Sequence, residues 1–193
     1  MKHFKIKRIS KYNSIYGNSQ KMPKVFKNRY FKNNIFLKGH LNVTTTKVIN
    51  FFSPILNILQ IFPSKTEKQI PTIVNFDKQD KMVRNMNYKN KLFQFKSDFV
   101  WIEENVAFEV LKYGLSMKFL YEPNETQDKI TITSKGFYFK FDDYFVPLPI
   151  TFMMGTCVAH EIAIDDNTYD LDITFNHPYF GDYIRFDGQF MIN

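Results

Sequence analysis

Alternation of apolar and polar side chains runs through the second half of the chain and constrains the fold more than any other feature. In residues 156–164, Thr156, Val158, His160, Ile162 and Ile164 alternate with Cys157, Ala159, Glu161 and Ala163; in residues 169–176, Tyr169, Leu171, Ile173 and Phe175 alternate with Asp170, Asp172, Thr174 and Asn176. A period of two is the strand period, and Asp165-Asp166-Asn167-Thr168 between the runs is turn composition, so the pair predicts a β-hairpin. Residues 183–192 predict a further strand, with Tyr183, Arg185, Asp187 and Gln189 set against Ile184, Phe186, Gly188 and Phe190. Residues 129–142 read as a second hairpin, in which Ser134-Lys135-Gly136 separates Ile130 and Ile132 from Phe137, Phe139 and Phe141. Shorter runs near 72–76, 85–95, 106–113 and 116–121, with the threonine-rich run at 41–47, bring the expected total to about eight to ten antiparallel strands. The predicted fold class is therefore mainly β: a curved antiparallel sheet or partial β-barrel covered by one or two short helices. The 22 Phe and 11 Tyr in 193 residues suit such a wall and would line its concave face with large rings.

Two segments carry helical spacing instead. In residues 18–31, Met22, Val25, Phe26, Tyr30 and Phe31 recur every three or four positions, with Pro23 tolerated in the first turn. In residues 48–62, Asn50, Ser53, Asn57 and Gln60 form a polar stripe on an otherwise apolar segment. That segment is shorter than the roughly 20 residues a bilayer span needs. It predicts a helix packed on the sheet, or a portal helix that touches lipid.

Charge is divided along the chain. Residues 1–66 hold 13 Lys or Arg and no Asp or Glu, leaving 13 basic and 19 acidic side chains for the remainder. A one-sign block of this length seeks a counter-surface, and the candidates are the acidic remainder of the same molecule, an anionic membrane surface, or nucleic acid. Nucleic acid is disfavoured, since no zinc-finger spacing, helix-turn-helix pattern or ribonucleoprotein sheet motif is present. Residues 1–14 read as a basic tail and residues 15–193 as a single β-rich domain. Cys157 is the only cysteine, which excludes an internal disulfide and points to a reducing compartment. With no secretory h-region, the expected location is cytoplasmic, or peripheral to the inner face of the membrane if the basic block docks there.

The residues that could carry chemistry cluster in the last two hairpins. His160 shares a face with Val158, Ile162 and Ile164, which predicts an imidazole pointing into an apolar interior. Glu161 lies on the opposite face among Cys157, Ala159 and Ala163, all small, as befits a carboxylate facing water or a structural ion pair, or one in a pocket whose walls were kept thin. His177-Pro178 with Gly181 is a turn that could aim an imidazole across a barrel mouth. Arg185 is the sole basic residue after Lys140, among nine acids, and should pair with a carboxylate. His160, Glu161, His177, Tyr183 and Arg185 form the candidate ligand-binding set. Nucleophile-elbow, P-loop, dinucleotide and zincin motifs are all missing, so neither a cofactor nor a metal is expected. Three functional classes remain: non-catalytic binding of an apolar or amphipathic small molecule in a concave β-sheet cavity; a cofactor-independent enzyme using Glu161 and His177 as acid and base; and a membrane- or protein-docking module acting through the basic N-terminal third.

Taken together, V-P-L-P-I from Val146, G-T-C-V-A-H-E from Gly155, D-D from Asp165 and N-H-P-Y-F-G-D-Y-I-R-F-D-G-Q-F from Asn176 resemble a bacterial domain of unknown function, family 4166. The shared features are Pro147 with Pro149, Glu161 on a strand, His177 with Pro178 before Gly181, and Phe186 with Gly188. A short helix ending near Arg29 and a strand led by Gly39 extend the likeness over roughly residues 15–192. The long basic opening and Phe186, where tyrosine is expected, depart from the pattern. Members also occur behind saccharopine-dehydrogenase-like nucleotide-binding domains, whose G-x-G-x-x-G this chain lacks. The resemblance implies one complete module and no established activity.

Overall fold

The alternating runs pair into a ring. The computed structural model describes residues 21–49, 65–89 and 91–193, with the backbone of Phe4–Lys5. Its strands are β1 (Phe4–Lys5), β2 (Ile35–Thr45), β3 (Glu67–Phe76), β4 (Lys81–Tyr88), β5 (Lys91–Glu103), β6 (Val106–Val110), β7 (Leu115–Pro123), β8 (Lys129–Phe141), β9 (Tyr144–Leu148), β10 (Thr156–Ala163), β11 (Thr168–His177) and β12 (Gly181–Ile192). Two helices, α1 (Lys24–Phe31) and the single-turn α2 (Thr151–Met154), and a short 3-10 turn at Lys112–Gly114 complete the described elements. Ten strands close in the order β2-β3-β4-β5-β6-β7-β8-β10-β11-β12, and β12 returns to pair with β2 from Ile184↔Thr45 to Ile192↔Leu37. Every pairing is antiparallel. The expected mainly β fold is thus present, and its barrel is closed rather than partial.

Two glycines sit where the closing strands meet. Gly39 and Gly188 occupy inward-phase positions on β2 and β12, and a Cβ on either would stand 2.0 Å from a carbonyl oxygen of the facing strand, Gln189 O or His40 O. Without side chains the two backbones can approach closely at this seam. Bulges at Leu41/Val43, Trp101/Glu103, Met117/Phe119 and Phe175/Asn176 add curvature elsewhere.

Residues 129–142 depart from the predicted hairpin: β8 is one strand of 13 residues. Gly136, at φ 109°, bends the chain without reversing it. Before the bend, β8 pairs with β10; after it, β8 pairs with β9, while β7 holds its other edge throughout. The buried Ser134 Oγ accepts the Cys157 N–H at 2.8 Å where β8 parts from β10. The reversal falls at Asp142-Asp143, where Phe141 pairs with Tyr144. The resulting hairpin leans on the outer wall, where Phe145 stacks on Phe108 at 3.9 Å, and β1 extends it by pairing with β9.

The helix predicted over 18–31 is described over Lys24–Phe31, with Pro23 at its N-cap. Its buried Val25, Phe26 and Tyr30 cover the barrel interior, and the Phe26 ring meets Tyr169 at 6.3 Å. Most of the helix predicted over 48–62, and the basic tail over 1–14 apart from the backbone of Phe4–Lys5, lie outside the described residues. Among the described residues no helix is long and apolar enough to cross a membrane.

Candidate site in the barrel interior

Which way β10 faces decides the site. Cys157, Ala159 and Glu161 are buried and turn inward, whereas Val158 and His160 are half-buried and Ile162 is exposed on the outer wall. The expectation that His160 points into the interior is therefore corrected. A closed barrel that must hold α1 residues as well as the rings of β11 and β12 has room only for small side chains on β10, so here the small face, not the branched apolar one, is the inner face. His160 Nδ1 stands 3.2 Å from Thr131 Oγ1, and burial, helped by Lys129 and opposed by Asp172, pulls its pKa below the ordinary value.

Glu161 is 4% exposed and meets α1. Its Oε2 accepts the Tyr30 hydroxyl at 2.5 Å, and its Oε1 lies 3.8 Å from Arg29 Nη2. The Arg29 guanidinium also sits 4.1 Å from the centre of the Phe76 ring. Burial, the largest single influence, pulls the Arg29 pKa down, but Glu161 together with Tyr169, Tyr30 and Tyr121 outweighs it and the net shift is upward. Burial, then Glu161, raises the Tyr30 hydroxyl well above its usual range, so it stays a donor.

A second charged pair borders the same space. Arg84 and Glu109 face inward from β4 and β6. Glu109 Oε1 accepts the Ser97 hydroxyl at 2.8 Å, and burial raises the Glu109 pKa against the opposing pull of Ser97 and Arg84. The Arg84 guanidinium stands 5.6 Å from the Phe95 ring centre. Sequence reasoning missed both charges, although Arg84 stands in phase between the buried Met82 and Met86 and Glu109 in phase with the buried Ala107. Between these groups lies a cavity of about 110 Å³, walled chiefly by apolar side chains such as Phe76, Phe95, Phe119, Leu171 and Phe186.

The other predicted site residues lie elsewhere. His177 is buried at the end of β11, where its Nδ1 accepts the Tyr179 N–H at 3.1 Å. Its Nε2–H is then left to donate to the Phe152 carbonyl at 2.9 Å, which clips α2 to the β11–β12 turn. Glu161 pairs with Leu171 across β10 and β11, and His177 follows Leu171 along β11 at a distance of about 20 Å by strand rise. The two are not brought together. Tyr183 is buried beside Phe175 and donates to the Met154 carbonyl at 2.7 Å. Arg185 forks onto Asp172 on the outer surface, at 3.0 and 2.8 Å, the carboxylate pairing expected of it. Of the five predicted binding residues, Glu161 alone borders the interior cavity.

Two cations of the basic block also find acids of the same chain: Arg29 with Glu161, and Lys24 with Asp166 at 3.1 Å in an exposed pair. In comparisons with known proteins, a family described as Domain of unknown function (DUF4166) matches residues 22–190. No curated protein matches the chain.

Proposed function

The chain belongs to the DUF4166 family of domains of unknown function, and from that premise we propose that it is a non-catalytic binding module holding a small apolar or amphipathic molecule inside the barrel. One observation carries this reading: a cavity of about 110 Å³ inside a closed β-barrel, with apolar walls and a few convergent polar groups. Engineered apolar cavities of roughly 150 Å³ take up benzene. The occupant is accordingly of single-ring or short-chain size, and a long acyl chain would require α1 or a wall strand to move.

Native mass spectrometry of the protein purified from its own host tests the proposal. The expected result is a retained molecule of small, defined mass. Ala159→Phe, which places a ring in the cavity, is expected to abolish retention while the protein still melts cooperatively. Retention undiminished by Ala159→Phe would move the ligand to another surface, and protein free of ligand that also fails to take up small apolar probes would overturn the reading.

A further inference from the structure

The cavity's charges do not balance in the same way on its two sides. Arg29 has Glu161 and the net shift of its pKa is upward; Arg84 has only Glu109, with no hydrogen bond or ion pair joining them among the described residues. The Arg84 Nε is buried without a hydrogen-bond partner, and so is the Arg29 Nε. Burial lowers the Arg84 pKa, with Glu109 pulling against it, the response of a guanidinium whose charge is poorly compensated. Burial also favours the neutral form of Glu109, outweighing the opposing pull of the Ser97 hydroxyl that donates to one of its oxygens. A buried cation with spare donors is costly in an apolar chamber unless an anion meets it.

Resting on the binding role proposed above, we infer that the ligand is a small monocarboxylate, its headgroup seated on the Arg84 fork and its short apolar body against the ring wall that includes Phe95 and Phe119. The planar guanidinium presents paired donors that match the two oxygens of a carboxylate. The volume of about 110 Å³ limits the body to a short chain or a single ring.

The test is an NMR titration of the whole protein with three probes: butanoate, its neutral isostere butanamide, and benzene. Butanoate is expected to bind about tenfold or more tightly than butanamide, as a charge-assisted hydrogen bond requires. Arg84→Met should erase that preference while benzene still binds in the cavity. If Arg84→Met does not fold, Arg84→Lys, which keeps the charge and loses the fork, should weaken butanoate selectively. Equal binding of butanoate and butanamide, or a preference that survives the Arg84 substitutions, overturns the carboxylate inference and leaves the cavity reading standing. If none of the three probes shifts the resonances of cavity-lining residues, the cavity reading itself falls.

Discussion

Glu161 holds two residues of α1 at once, and its removal should be felt through the partners it leaves behind. Glu161→Gln strands the Arg29 guanidinium in a largely apolar setting, and breaking one side of a buried ion pair costs about 3–5 kcal/mol. Tyr30→Phe removes one hydrogen bond to the carboxylate and should cost less, about 1–3 kcal/mol. Urea denaturation of the two variants checks the order, and Arg29→Met in the Glu161→Gln background should recover part of the loss. If the double variant is as weak as the single one, Arg29 does not depend on Glu161. Glu109 gives a pH dependence of opposite sense to that of a salt-bridged acid. Its pKa is raised in the fold, so the folded state keeps a proton that the unfolded state has already released, and stability falls as pH rises from the ordinary carboxylate range through the raised value. Glu109→Gln has no such proton to lose. Its melting temperature should match that of the wild type near about pH 4 and exceed it near about pH 8; parallel curves would show that burial does not penalise this carboxylate.

At the scale of elements, the seam between β2 and β12 is the most demanding junction. A methyl group at Gly188 would overlap the His40 carbonyl, which is backbone and cannot turn aside. Gly188→Ala should therefore cost about 1–3 kcal/mol or more, the usual range for overpacking. A lowered denaturation midpoint is the expected readout, and an unchanged one would mean that the strands can separate there without loss. The same junction illustrates how far the strand pattern could be read. Alternation picked out the inward face of β12, namely Ile184, Phe186, Gly188 and Phe190, but it could not say that Gly188 faces β2 from nearly the opposite end of the chain. Pairing partners are a property of the ring, and periodicity within one strand carries no information about them. In β8 the same gap produced an error, because Ser134-Lys135-Gly136 has turn composition, yet two different neighbours on one edge keep the strand running through it.

As a whole molecule, the barrel has no free edge between β12 and β2, and amide hydrogen exchange should show it. The ladder from Ile184↔Thr45 to Ile192↔Leu37 is expected to be protected on both strands as strongly as the β10–β11 hairpin, whereas an open sheet would exchange quickly on the unpaired sides of both. What could be read from the chain alone is local in origin: the β class, the β10–β11 hairpin, the faces of β11 and β12, a short helix within residues 18–31, and a carboxylate at Glu161 flanked by small residues. Each follows from side-chain period and size, which act over a few neighbouring residues. Four features came instead from the assembled barrel: the sheet closes, the small face of β10 is the inner one, Arg29 from the basic block meets Glu161, and His177 lies far from both. Those outcomes depend on how much volume the other walls and α1 already occupy inside the ring. Packing volume is shared among residues far apart in sequence, so it is settled only when the whole barrel has closed around it.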